Sequence, residues 1–220
     1  MRLHDRLLLL PLFQGMTRND IENVVGNTRL GFSKYGKGKV FISDGEQCNY
    51  LRFLLQGECV ATSEANDGSY SIGEIIKSPE VIQPECLFGM NQRYTKTFTS
   101  ITECSIVSLN KNDVTHLMAE YDIFRINLLN IMSTHTQRLS RQPWRKLPDS
   151  IRHKVFRFIE MRCLKPAGHK MLKIKMEVLA EHIGESRLNV SRCLAELEKE
   201  GFLTHSRATM DIPALERLMD

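Results

Sequence analysis

Between Lys173 and Leu203 the sequence gathers side chains suited to the edges of base pairs. Arg187, Leu188, Asn189, Ser191 and Arg192 all fall within six residues of Ser186. Arginine can donate two parallel hydrogen bonds to guanine, asparagine suits adenine, and leucine offers only apolar surface to a thymine methyl. Arginines and hydroxyls also suit phosphate oxygens, which position a protein without reading sequence.

Such side chains discriminate only from a helix held at a fixed angle, and the surrounding residues are patterned to hold one. Val178, Leu179 and Ile183, followed by Val190, Leu194 and Leu197, have the spacing of two short helices over 177–183 and 187–200 that share one core. Ala180 is small where two helix backbones approach. Gly184 supplies the positive φ of a tight turn, and Ser186 is a natural N-cap. This is helix-turn-helix grammar, in which the second helix enters the major groove. A short strand at Met171–Ile174 and a hairpin begun by Phe202–Arg207 make the module winged. A helical subdomain without a nucleic-acid partner would share the core pattern, but not the charge that precedes it.

That charge is concentrated. The net of +4 over 220 residues hides twelve Lys and Arg against two Asp and Glu in 138–175, bounded by two acidic stretches. A basic stripe of this kind reads as a polyanion footprint. The 42% apolar and 25% charged shares are those of an ordinary globular chain. The longest apolar run, Leu7–Phe13, is seven residues where a membrane span needs about 20. It follows mixed charges at Met1–Arg6 and precedes no cleavage site, so neither signal peptide nor anchor is expected and the protein is placed in the cytoplasm. Cys48, Cys59, Cys86, Cys104, Cys163 and Cys193 have no metal-ligand or redox spacing. Free thiols are expected, with no metal and no cofactor. No nucleophile elbow, phosphate loop or paired-acid motif points to an enzyme.

Upstream, the texture from Leu30 to Leu109 is one of short alternating stretches between turn formers such as Gly36-Lys37-Gly38, Asp44-Gly45 and Asn66-Asp67-Gly68. Short strands at this spacing predict a sandwich or barrel. The period then changes. Leu117, Tyr121, Phe124, Leu128, Ile131 and His135 follow one another by four and three residues in alternation, the seam of one helix of about 25 residues. Ile123, Ile126, Leu129 and Met132 lie off that seam, so the helix can dock on its own domain and also face a partner. The seam is expected to be a homodimer contact. Pro143 and Pro148, flanking Trp144-Arg145-Lys146, end the helix.

This organisation resembles the Crp/Fnr family of bacterial transcription regulators. The likeness covers nearly the whole chain and is most specific in Ile-Gly-x-Ser-Arg-x-x-Val-x-Arg, here Ile183 to Arg192. It implies an α+β protein in three parts: a cyclic-nucleotide-binding-like, jelly-roll β-barrel over 1–115 that senses an effector, a dimerisation helix and hinge over 116–147, and a winged helix-turn-helix over 148–220. It also implies a homodimer on double-stranded DNA with a palindromic operator, and RNA polymerase as a further partner that such regulators can contact.

The departures from the family are equally informative. The member that binds cyclic AMP uses a Gly-Glu-Leu segment followed by an Arg-Ser pair that holds the phosphate. Here the corresponding stretch is Pro84-Glu85-Cys86, and Tyr94-Thr95 stand where Arg-Ser is expected, with Arg93 adjacent and Lys96 at the rim. These residues are the candidate effector pocket, and cyclic AMP is not the expected ligand. The oxygen-sensing branch carries an N-terminal cysteine cluster, whereas no cysteine precedes Cys48. Whether Cys86 as a thiol or His135 as an axial ligand has a sensing role is left open. The alternative to a DNA-binding regulator is a small-ligand module whose C-terminal domain binds a protein.

Overall fold

In the computed structural model, residues 3–146 and 148–219 are described. Met1 and Arg2 of the charged start, Leu147 at the end of the expected hinge and the terminal Asp220 lie outside them.

The chain divides into two compact units, one of 1–60 and 76–140 and the other of 61–75 and 141–220. The first begins with helix α1 (Leu3–Leu7), a 3-10 turn at Pro11–Phe13 and helix α2 (Arg18–Asn27). Thr17 starts α2 through a reciprocal capping box with Asp20. Eight strands follow along the chain, most of β4 and β5 belonging to the second unit: β1 (Gly31–Tyr35), β2 (Val40–Ile42), β3 (Tyr50–Gln56), β4 (Glu58–Glu64), β5 (Tyr70–Lys77), β6 (Glu80–Ile82), β7 (Thr97–Ser100) and β8 (Cys104–Asn110). One sheet has the order β1-β8-β3-β6, and its neighbouring pairs β1–β8, β8–β3 and β3–β6 are all antiparallel. β2, β7 and β4 run side by side in the other. The expected barrel is therefore a jelly-roll-like pair of open sheets, because the two strand sets do not hydrogen-bond into one closed ring. Between β3 and β4, Gly57 takes φ 95°, and a Cβ there would lie 2.3 Å from the Glu103 carbonyl oxygen. Only glycine fits that turn.

Two helices close the first unit, α3 (Lys111–Glu120) and α4 (Asp122–Arg141). The sequence predicts one continuous helix here. Tyr121 instead takes extended angles (φ −119°, ψ 101°) and breaks it, with Arg125 Nη1 donating back to the Met118 carbonyl across the break.

The seam also needs correcting. Leu117, Phe124 and Leu128 are buried within this unit, and Tyr121, Ile131 and His135 are half-buried. Phe124 stacks at 5.3 Å on Phe13, which in turn meets Phe53, and Asn127 Nδ2 donates to the carbonyls of Leu12 and Gln14. The leucine-rich N-terminal segment thus occupies the face that periodicity offered to a partner. Among the described residues the exposed large apolar side chains of α4 are Ile123, Ile126, Leu129 and, near its end, Leu139.

The second unit holds helix α5 (Ile151–Glu160), strand β9 (Lys170–Ile174), helices α6 (Met176–Ile183) and α7 (Arg187–Lys199), and strands β10 (Thr204–Ser206) and β11 (Thr209–Ile212). Its sheet runs β10-β11-β9-β5, antiparallel throughout. Val155, Ile159, Leu172, Leu179, Val190, Leu194, Leu197, Ile212 and Leu215 are among the side chains of one buried core, which Ile72 of β5 joins.

Candidate nucleic-acid interface

The helix-turn-helix forms where the sequence places it. Leu179 and Ala180 of α6 are buried with Val190, Leu194 and Leu197 of α7. Gly184 caps α6 at φ 66°, ψ 43°, and its amide donates to the carbonyls of Ala180 and Glu181. Ser186 Oγ accepts the Asn189 amide at 3.2 Å, starting α7. The Ser186 hydroxyl hydrogen remains available to an acceptor such as a phosphate oxygen.

Burying Val190, Leu194 and Leu197 turns the opposite face of α7 to solvent. Arg187, Leu188, Asn189 and Arg192 are exposed, Leu188 at 59%, and Ser191 is half-buried. Arg187 Nε lies 3.1 Å from Glu177 Oε1 with both side chains largely in water, and such a pair is readily exchanged for another anion. The first turn of α7 also presents unpaired amides and the positive end of the helix dipole. Arg207, which the sequence places in the hairpin without singling it out as a candidate contact, is exposed at the β10–β11 turn. Its place is visible only once β11 is recognised as a strand.

The basic stripe is not all footprint. Arg145 Nη1 donates to both Glu160 oxygens, at 3.0 and 2.8 Å. Arg152 donates to the carbonyls of Leu218 and Arg217, and Arg157 to those of Gln142, Arg145 and Lys146. Lys154 pairs with Glu185, and Lys170 is buried against Glu74. These cations hold helix ends and loops together within the unit. Lys165, Lys173 and Lys175 are exposed.

The candidate effector residues behave differently. Pro84, Glu85 and Cys86 form a 3-10 turn after β6, entered through Gln83 in the left-handed region at φ 37°. A non-glycine residue held there is strained and needs surrounding contacts to keep it. Gln83 is buried, its Nε2 donates to Thr95 Oγ1 at 2.7 Å and its Oε1 accepts the Thr95 amide at 3.2 Å. Tyr94 is 1% exposed, and its hydroxyl donates to the Tyr50 carbonyl at 2.9 Å under the Arg52 guanidinium. Arg52 is held by Glu46 and the Phe41 carbonyl, and Arg93 donates to the Gly45 carbonyl at 2.7 Å. Lys96, expected at a rim, is buried. Burial first, then the Glu85 carboxylate, pushes the Cys86 thiol up to about 12, the opposite of what a reactive thiolate needs.

The structure brings Glu85 and His135 together, although the sequence assigns them to different sites: His135 Nδ1 is 4.0 Å from Glu85 Oε1. Gln83 was missed as a candidate. Among the described residues no helix is long and apolar enough to cross a membrane, and no cluster of three or more His, Cys, Asp or Glu is placed to hold a metal.

Family models match both units. Residues 32–121 match the cyclic nucleotide-binding domain and residues 153–220 the Crp-like helix-turn-helix domain. Among solved structures, the catabolite activator protein of Thermus thermophilus is 16% identical with a TM-score of 0.51, covering 95% of this chain and 96% of that one. A protein of Eubacterium rectale described as a transcriptional regulator of the Crp/Fnr family is 19% identical, also at 0.51, over the same shares. No curated protein sequence matches the chain. The two domains in this order define a class, a cyclic-nucleotide-binding-type domain joined to a Crp-like helix-turn-helix. The chain belongs to the Crp/Fnr family of transcription regulators.

Proposed function

We propose that the protein binds double-stranded DNA as a homodimer, sets the first turn of α7 in the major groove of each half of a palindromic operator, and responds to an effector other than cyclic AMP. The observation that carries this reading is the first turn of α7, where Arg187, Leu188, Asn189 and Arg192 are exposed while Val190, Leu194 and Leu197 anchor the helix. Two-fold symmetry places half-sites about 34 Å apart. The dimer contact is assigned to the outward face of α4, Ile123, Ile126 and Leu129, because the inward face is occupied. RNA polymerase as a partner rests on the family resemblance alone.

The effector reading rests on charge and on occupancy. Arg gives a buried phosphate a fork of donors. The Tyr94 hydroxyl already donates to Tyr50, the Thr95 oxygen already accepts from Gln83, neither group carries a charge, and Tyr94 fills space with its ring. Lacking that cation moves a micromolar site towards millimolar at about 1.4 kcal/mol per tenfold. Titration calorimetry with cyclic AMP should give no dissociation constant tighter than about 10 μM; a tighter one overturns this part.

Selection of bound fragments from a genomic library tests the whole. Enrichment of a two-fold symmetric sequence is expected, with affinity falling linearly in log salt by about 0.9 per neutralised phosphate. No enriched sequence, or binding insensitive to salt, refutes it.

A further inference from the structure

The second unit contains a strand that its own stretch of sequence does not supply. The Crp-like model begins at residue 153, yet the unit's sheet includes β5, paired with β9 in the register Tyr70↔Ile174, Ile72↔Leu172 and Glu74↔Lys170. Three alternate side chains seat it. Tyr70 packs its ring on Phe158 at 5.3 Å and on His182 of α6 at 5.2 Å, and Arg162 Nε donates to its hydroxyl at 2.8 Å. Ile72 enters the core. Glu74, with no exposed surface, accepts from Lys170 Nζ at 3.0 Å, from the Leu164 amide at 2.7 Å and from the Lys165 amide at 3.2 Å.

We propose that residues 61–75 are a releasable strand of this unit: β5 leaves the β9 edge while the rest of the unit stays folded, and the Glu74–Lys170 pair is what makes the departure easy and the return accurate. A strand seated for good is best held by apolar side chains, since a buried ion pair contributes little net stability once its desolvation is counted. The same pair regains water on both charges when the strand departs, which narrows the gap between seated and released states. It also enforces register. A slip by one residue turns Glu74 to the other face and leaves Lys170 buried without its anion. Among the described residues of β5, Ile72 and Tyr70 are the large apolar side chains that join this core, and Tyr70 is only half-buried. Because β4 and β5 run on beyond 60 and 75 into the first unit, release is a route by which an event there would reach α6 through Tyr70 and His182. The proposal depends on the Crp/Fnr reading only for what such a signal would serve.

Hydrogen–deuterium exchange on the full-length protein without DNA tests it, so failure of the DNA-binding reading cannot be mistaken for failure of this one. Peptides over Tyr70–Ile75 should exchange at least ten-fold faster than those over Thr209–Ile212. Glu74→Gln, which keeps the shape and one acceptor, should speed the hairpin a further ten-fold and leave the β11 peptide unchanged. The apolar pair Glu74→Leu with Lys170→Met should slow the hairpin below the native rate. Exchange of β5 and β11 in step in the native protein, acceleration of both together in E74Q, or global unfolding of E74Q would each overturn the proposal.

Discussion

The turn around Glu85 and the helix begun by Ser186 are both rich in polar side chains, yet they use them in opposite ways. Around Glu85, Gln83 is bound to Thr95, Tyr94 to Tyr50, Arg93 to Gly45 and Arg52 to Glu46. Every one of those groups has its partner inside the chain. On α7 Arg187 pairs with Glu177 in a solvent-exposed contact, and Leu188, Asn189 and Arg192 face water. Polar residues that satisfy one another hold the turn in place, whereas the outward ones of α7 are those the proposed DNA contact would use.

Mutations should separate the two regions by what they damage. The largest effect is expected at Tyr94→Ala, which empties a buried aromatic volume and should cost about 3–5 kcal/mol of stability by urea unfolding, with DNA affinity intact wherever the variant is folded. A cost below about 1 kcal/mol would mean the turn is not core. Arg192→Ala should invert that pattern: about 1–3 kcal/mol lost in affinity for a selected operator if the contact is bidentate to guanine, and unfolding within about 0.5 kcal/mol of native. Equal loss on every DNA sequence would reassign Arg192 to phosphate.

The two faces of α4 offer the same contrast at a smaller scale. Ile126→Glu combined with Leu129→Glu should yield folded monomers by sedimentation, since both side chains are exposed, whereas Phe124→Glu should unfold the first unit. A dimeric double variant would move the interface elsewhere. The smallest change is a rate. With its pKa near 12 against an ordinary 9.0, about one Cys86 in ten thousand is thiolate at pH 8 instead of about one in ten. Alkylation in the native protein should therefore be slow and should rise with pH well past 9; rapid native labelling at pH 8 would reopen a thiol-sensing role.

Much of this was legible in local sequence, and the exceptions share a cause. Gly184, Ser186 and the buried spacing of α6 and α7 act within a few residues of one another, and the helix-turn-helix follows them closely. The stretches 39–42, 51–55, 59–62 and 105–109 likewise read as strands in sequence, although β1, β6 and β7, short or polar, do not. What periodicity could not supply was the identity of distant covers. Nothing near Phe124 announces that Phe13 will lie on it, so an inward stripe read as a dimer seam. The charges of 138–175 are plain in the sequence, but their partners, among them Glu74, Glu185 and main-chain carbonyls near the C-terminus, sit far along the chain. Ser71–Ile76 reads as a strand in sequence, and its pairing with Lys170–Ile174 across almost a hundred residues does not.

That strand has a practical corollary for anyone dividing the protein. The chain crosses between its two units after residues 60, 75 and 140, so no single cut yields both pieces whole. A fragment starting at 141 would carry every residue of the helix-turn-helix and still lack one strand of its sheet. It would expose the main-chain donors and acceptors of β9, and would leave Lys170 without its carboxylate. Open edges of that kind recruit other chains. Clumping of such a fragment would follow from an unfilled edge, and a linked copy of 61–75 is the addition that should keep it dispersed.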